Sequence, residues 1–242
     1  MLVAAFITAG HAFAQDGGIE RATLEEKNAK TPEISTGQVR QILDNGGAII
    51  LDTRSRAEFD AGHIPGAQIL DAPPDQQIAA TERLVNGDKA AALVLYCNGP
   101  YCQASRRLAE RLTGAGFTNV RRYQLGIPVW RALGGPTAIE ADGVARIHGV
   151  DRTAVYLDAR LPEEFAKGSL PGAHSTPVDD VVSGKLTKMP LPEDDFNRRI
   201  ILFGRDAAQA RKLAEFMSKR PWHNVAYFSG PFEALARAVN IQ

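Results

Sequence analysis

Cysteine is scarce in this sequence, because its 242 residues include only two, Cys97 and Cys102. Two cysteines and five scattered histidines offer no C-x-x-C or H-x-x-x-H spacing, which excludes the common zinc frameworks. Net charge is also absent, since 28 basic residues balance 28 acidic ones. A nucleic-acid-binding protein would show a basic excess or a basic stripe. We therefore predict no metal, no cofactor and no nucleic-acid partner.

A hydrophobic run long enough to span a bilayer is missing as well. The apolar start, "MLVAAFITAGHAFAQDGG", is shorter than the roughly 20 apolar residues that a membrane helix needs. It ends in Ala12-Phe13-Ala14 and resembles the end of a secretory signal peptide, although the positively charged start is missing. The alternative is a short buried segment. We predict a signal peptide over 1–14, no stable membrane span, and a periplasmic or secreted protein in which a disulfide can form.

The sequence contains an internal repeat. The segment "AIILDTRSRAEFDAGHIPGAQIL" in the first half corresponds to "AVYLDARLPEEFAKGSLPGAHST" in the second. Asp52 matches Asp158 and Arg54 matches Arg160, both at the same offset (158 − 52 = 160 − 54 = 106). Further along, "LVLYC" corresponds to "IILFG" and "SRRLAERL" to "ARKLAEFM". A repeat of this length indicates two copies of one structural unit.

Short apolar runs alternate with helical stretches in both halves. The predicted strands are 48–51, 92–96, 119–123, 154–157, 199–203 and 224–228, and the clearest helices are 105–113 and 208–218. Continuous apolar strands separated by helices indicate a parallel sheet covered on both faces. We therefore predict an α/β fold of two tandem domains, 31–137 and 138–242, with a linker at 136–147.

Cys97 is the candidate nucleophile. It directly follows the strand "LVLY" and precedes a polar loop and a helix. Ligands gather at the carboxyl ends of parallel strands, where a helix N-terminus also directs its N–H groups. A thiolate is stabilised there, and the nearby Arg106 adds positive potential. The alternative, a buried cysteine that only packs, is less favoured because Gly99-Pro100 breaks the chain within a polar loop.

The candidate active loop runs from the nucleophile into the start of the helix. Its members are Asn98, Gly99, Pro100, Tyr101, Cys102, Gln103, Ala104, Ser105 and Arg106. The second half has Gly204 in place of the nucleophile and reaches its helix two residues sooner (204 − 97 = 107, but 211 − 106 = 105). We predict that the second domain keeps the fold without the chemistry.

These features resemble a rhodanese domain. The resemblance rests on the D-x-R…E-F…G-H-I-P-G-A pattern of 52–67, on the strand that ends in Cys97, and on "GFTNVRRYQLGIPVW". The second half resembles a degenerate copy, so that the likeness covers 34–240. Rhodaneses are sulfurtransferases that carry sulfane sulfur as a cysteine persulfide. The resemblance implies that Cys97, rather than Cys102, takes sulfur from a small donor and passes it to a thiol or other thiophilic acceptor, including a protein acceptor.

Four further residues are predicted to support the loop. An Asp-x-Arg after a buried strand usually forms a structural ion pair, which is how we interpret Asp52 and Arg54; in the family this pair also lies beside the active loop. We interpret His63 as a loop-stabilising residue rather than a base. The family's thiosulfate and mercaptopyruvate enzymes carry a substrate-binding cation where this sequence has Glu58. A carboxylate there is expected to repel an anionic donor, which argues against thiosulfate.

Other functions remain open at this point. The two thiols fit thiol–disulfide or peroxide chemistry, and the two domains fit a non-catalytic binding module. A phosphatase or arsenate reductase is least favoured, because Gln103 stands where an arginine would close around an oxyanion. Cys102 either resolves the Cys97 persulfide, releasing sulfide and leaving a disulfide, or packs beneath the loop. Resolution requires the two Cα atoms to lie within about 7 Å.

Overall fold

A computed structural model describes residues 30–240, so the predicted signal peptide at 1–14 lies outside the described residues. In the first domain the elements are α1 (Thr36–Asn45), β1 (Ile49–Asp52), α2 (Arg56–Asp60), β2 (Gln68–Ile69), α3 (Gln77–Leu84), β3 (Leu93–Tyr96), α4 (Gln103–Gly114), β4 (Val120–Tyr123) and α5 (Gly126–Ala132). The four strands form a parallel sheet in the order β2-β1-β3-β4. None of the described helices combines the length and apolar character needed to cross a membrane.

The second domain repeats this arrangement. Its elements are β5 (Thr137–Ile139), α6 (Ala141–Arg146), a π-helical turn (Ile147–Asp151), β6 (Val155–Asp158), α7 (Pro162–Ala166), β7 (Ala173–Ser175), α8 (Val178–Val182), β8 (Ile200–Phe203), α9 (Ala207–Met217), β9 (Val225–Phe228) and α10 (Phe232–Ala238). Its parallel sheet has the order β5-β9-β8-β6-β7. The predicted α/β fold with two parallel sheets is confirmed.

The apolar strands are explained by helices that cover both faces of each sheet. All four residues of β3 are buried, and successive side chains point to opposite faces. Val94 packs in one core with Trp130, whereas Leu95 packs in the other with Phe117. Each fully buried side chain of this size contributes about 1.5–3 kcal/mol of transfer free energy. The strand is therefore apolar along its whole length instead of alternating.

The segment predicted as a linker is structured. Residues 136–147 contain β5 and α6, and β5 pairs with β9 through Thr137 and Ala226. The linker prediction is therefore wrong, because this stretch supplies an edge strand of the second sheet.

The two domains meet beside α2. The backbone of His63 exchanges two hydrogen bonds of 2.9 Å with Ala138, and Glu140 N donates to Asp60 O at 3.0 Å. Gly143 packs so tightly that a Cβ atom there would overlap the carbonyl of Asp60. The second domain therefore supports the segment of the first domain that borders the candidate site.

Candidate active site

Cys97 lies at the carboxyl end of β3, as predicted, and is 3% exposed. Its carbonyl oxygen accepts a hydrogen bond of 3.1 Å from Ile127 N, at the start of α5. The preceding Gly126 has a φ of +64°, and a Cβ atom there would overlap Cys97 O and lie 2.5 Å from Gly99 N. Only glycine fits between these groups. Gly126 belongs to the segment "GFTNVRRYQLGIPVW", whose sequence alone gives no sign of this contact with the loop.

A tight turn brings the second cysteine back to the first. Cys102 N donates to Gly99 O at 3.0 Å, and Pro100 occupies the second position of this four-residue turn, where its fixed φ is favourable. The Cα atoms of Cys97 and Cys102 are 6.2 Å apart, and their sulfur atoms form a disulfide. The distance condition for a resolving cysteine is therefore met.

Helix α4 begins earlier than predicted. Cys102 is its N-cap, so that the loop comprises only residues 97–102. Gln103 and Ala104, which were predicted to precede the helix, form its first turn together with Ser105 and Arg106, where the helix was predicted to start. Arg106 Nε donates to Glu110 Oε1 at 3.1 Å, one turn further along the helix. The early start follows from the turn at Gly99, which completes the chain reversal before residue 103.

A carboxylate contacts the active loop. Glu58 closes the capping box of α2 by accepting hydrogen bonds from Ser55 N at 3.1 Å and Ser55 Oγ at 2.7 Å. Its other oxygen accepts a bond of 2.5 Å from Asn98 Nδ2 in the loop. The hydrogen bonds from Ser55 and Asn98 lower the pKa of Glu58. The exposed side chain is therefore negatively charged at neutral pH, directly beside the nucleophile's loop.

The Asp52–Arg54 pair is part of a buried network. Arg54 donates from Nε and Nη2 to the two Asp52 oxygens at 3.0 and 2.6 Å, and from Nη2 to Gly62 O at 2.8 Å. Tyr96 OH donates to Asp52 Oδ2 at 2.5 Å and accepts from Ile64 N at 3.1 Å. Burial raises the pKa of Tyr96 well above 10, so its hydroxyl stays protonated. The network ties the 62–64 loop to β3, which is the structural role interpreted from the sequence.

His63 faces the second domain. Its ring stacks on Phe59 at a centroid distance of 3.7 Å, with Nδ1 3.0 Å from Phe59 O. The other ring nitrogen, Nε2, lies 3.7 Å from Glu140 Oε1. Burial lowers the pKa of His63 below 6.5, which keeps the ring neutral at neutral pH. Because a carbonyl oxygen only accepts, the proton of the neutral ring lies on Nδ1, which donates to Phe59 O, while Nε2 faces the second domain.

The corresponding loop of the second domain is filled. Between β8 and α9 it has three residues, 204–206, against the six of 97–102. Gln209 Oε1 accepts a bond of 2.8 Å from Arg205 N, and a Cβ atom at Gly204 would lie 2.9 Å from the same oxygen. Arg205 pairs with Glu164 at 3.2 Å, as Asn98 pairs with Glu58 in the first domain. The scaffold is retained, but a glutamine side chain occupies the region of the nucleophile.

A cavity of about 500 Å³ adjoins the first turn of α4. Its walls include Thr53 at the end of β1, Ala104, and the charged side chains of Arg107 and Glu110. Among residues 30–240 no group of three or more histidine, cysteine, aspartate or glutamate side chains could hold a metal ion.

This chain is similar to several known proteins. This chain is 33% identical over 95 residues to thiosulfate sulfurtransferase GlpE of Pseudomonas putida, an alignment that covers 39% of this chain and 80% of that protein. It is also 33% identical over 106 residues to the probable adenylyltransferase/sulfurtransferase MoeZ of Mycobacterium tuberculosis, covering 42% of this chain and 25% of that one. A solved thiosulfate sulfurtransferase from Pseudomonas aeruginosa aligns with 84% of this chain and 44% of its own length, at 24% identity and a TM-score of 0.35.

The family assignment follows from the sequence profile of the Rhodanese-like domain. It matches twice, at residues 35–133 and 144–238, and so covers both halves of the internal repeat. Each match contains one of the two parallel sheets almost entirely. The chain therefore belongs to the rhodanese-like family and contains two copies of its domain.

Proposed function

We propose that this protein is a rhodanese-type sulfurtransferase whose first domain performs the chemistry. Reduced Cys97 attacks the sulfane sulfur of a small donor, holds it as a persulfide, and passes it to a thiol or other thiophilic acceptor. The observation that carries the proposal is the position of Cys97, at the end of β3 and before the N-terminus of α4. The similarity to sulfurtransferases supports the same activity.

The start of α4 suits a charged sulfur. The helix has 12 residues, and its N-cap residue, Cys102, makes no side-chain hydrogen bond to the first turn. Such a terminus presents backbone N–H groups and the positive end of the helix dipole to an anion. A persulfide extending from Cys97 towards this turn is stabilised by the same groups, and Gly126 keeps the loop in that position.

The test of this assignment uses fully reduced wild-type protein, C97S and C102S. Each is incubated with thiosulfate or cysteine persulfide, desalted, and assayed for protein-bound sulfane sulfur by cyanolysis. We expect C102S to load about one sulfur and C97S to load none. Loading of C97S without loading of C102S would show that the nucleophile is misassigned. If neither variant loads sulfur, and circular dichroism shows that both are folded, the proposal of a sulfurtransferase is refuted.

The charge on Glu58 supports a donor less anionic than thiosulfate. A negative side chain bonded to the loop at Asn98 repels a dianion on its way to Cys97. E58Q removes the charge, and its single amide oxygen accepts either from Asn98 or from Ser55 N but not from both. We expect kcat/KM for thiosulfate to rise about threefold to tenfold, the range for one charge acting across a partly solvated gap. The control is E164Q at the equivalent position of the second domain, which should leave the value unchanged.

The second domain is proposed to provide support without sulfur chemistry, because Gln209 fills the position that corresponds to the active loop. We also propose export, on the basis of the Ala12-Phe13-Ala14 pattern. Fractionation of a bacterial host that expresses the full chain, with sizing of the product by mass, tests export directly. A product found in the cytoplasm with residues 1–14 intact would contradict it.

The disulfide favours one alternative, a redox-active thiol protein that carries no sulfur. Both functions use Cys97 and Cys102, but only sulfur transfer predicts stable loading of C102S. Loss of loading combined with rapid oxidation of the two thiols by a disulfide substrate would favour the alternative.

A further inference from the structure

The two cysteines are placed for a reaction with one another. The turn at Gly99-Pro100 sets their Cα atoms 6.2 Å apart and brings the two sulfurs into bonding contact. Gly126 packs against the backbone at Cys97 and Gly99, at the start of this loop, and Cys102, at its end, is the N-cap of α4. A persulfide formed on Cys97 therefore lies within reach of the Cys102 thiol.

We propose that Cys102 resolves the Cys97 persulfide and converts the bound sulfur to sulfide, a step that rests on the sulfurtransferase function proposed above. Cys102 Sγ attacks Cys97 Sγ, so that the Sγ–Sγ bond forms and the bond to the outer sulfur breaks. The proton of the Cys102 thiol passes to the outer sulfur of the persulfide anion, which leaves as hydrosulfide. Relative to the reduced protein, the sulfane sulfur gains two electrons and the thiol pair gives up two. The product is the Cys97–Cys102 disulfide found in the structure.

The disulfide must be reduced before a further cycle, and the structure indicates which sulfur a reductant reaches. Cys97 is 3% exposed, whereas Cys102 is half-buried and follows Tyr101, which is 94% exposed. An incoming dithiol therefore attacks Cys102 and releases the Cys97 thiolate, and its second thiol then displaces Cys102. The complete reaction consumes a sulfane sulfur donor and a dithiol, and it yields sulfide.

The experiment follows one turnover of the full-length protein without oxygen. Reduced wild type, C102S and C102A are each mixed with thiosulfate or cysteine persulfide, and no reductant is added. Intact mass, free thiols and released sulfide are recorded over time, with a sample lacking donor as the control for stray oxidation. Cys102 makes no side-chain capping bond, so both variants remove the nucleophile without removing a cap. They differ in that serine is a preferred N-cap residue, whereas alanine is not.

In wild type we expect a transient gain of about 32 Da, followed by a species about 2 Da lighter than the reduced protein. Both thiols should disappear as about one sulfide per protein is released. Both variants should hold the added sulfur at least tenfold longer and release no sulfide. If wild type keeps the added sulfur as long as C102S does, the resolving step is refuted while the sulfurtransferase function stands. If the folded variants never gain mass, the sulfurtransferase function itself fails.

A second experiment tests which of the two cysteine sulfurs the reductant attacks first. Oxidised protein is treated with a small dithiol whose mixed disulfide is trapped by acid and located by peptide mass. We expect the adduct on Cys102, and an adduct predominantly on Cys97 would overturn the proposed order of attack.

Discussion

Substitution of Tyr96 by phenylalanine tests the buried network that holds the active loop. The side chain is fully buried, and its hydroxyl donates to the Asp52 carboxylate at 2.5 Å while accepting from Ile64 N at 3.1 Å. Y96F keeps the ring and removes one hydrogen bond to a charged group, at a cost of about 1.5–3 kcal/mol. It also leaves a buried N–H without this acceptor, which costs about 1–3 kcal/mol. Because both effects come from the same hydroxyl group, they are not simply additive, and we expect the free energy of unfolding to fall by about 3 kcal/mol.

The matched control is Y123F in the neighbouring strand. Tyr123 lies opposite Tyr96 in the sheet register and is equally buried, but within residues 30–240 its hydroxyl bonds only to Thr36 Oγ1, at 2.9 Å. Loss of a neutral hydrogen bond should cost about 1 kcal/mol. Urea unfolding of the disulfide-bonded full chain, with midpoint and slope fitted for each variant, measures both values. A loss for Y96F no larger than that for Y123F would refute the assigned role of the network.

Two further predictions concern the domain contact and the loop. Burial lowers the pKa of His63 in the folded protein, so the unfolded chain binds a proton at a pH where the folded chain does not. The free energy of unfolding should therefore fall as the pH drops through 6.5. Urea midpoints at about pH 7.5 and about pH 5.5 should show a smaller pH effect in H63Q than in wild type, and equal effects would contradict this assignment. G126A should displace the loop and so reduce sulfur loading of Cys97 at least tenfold in the cyanolysis assay. The control is G87A, which should load normally, because φ is positive there as well, at +80°, but no atom lies within 4 Å of the added methyl group. Similar loading of the two variants would exclude this role of Gly126.

Local patterns in the sequence predicted the two-domain fold, the central strands and the candidate nucleophile. The repeat at a constant offset predicted two copies of one unit, and the apolar runs predicted the central strands to within one or two residues. These features depend on residues close together in the chain. Cys97 was identifiable because a strand end followed by a helix places it at the functional edge of a parallel sheet, whichever strands are its neighbours.

The tertiary structure decided features that depend on contacts between distant segments. Residues 136–147 looked like a linker because a three-residue strand becomes recognisable only through its partner, and Thr137 pairs with Ala226. Tyr96 looked like an ordinary strand residue until the fold placed Asp52 beside its hydroxyl. The distance between Cys97 and Cys102 was likewise undetermined by their spacing of five, because it depends on a turn that Gly126 holds from another strand's loop. Sequence separation limits such distances, and only packing fixes them.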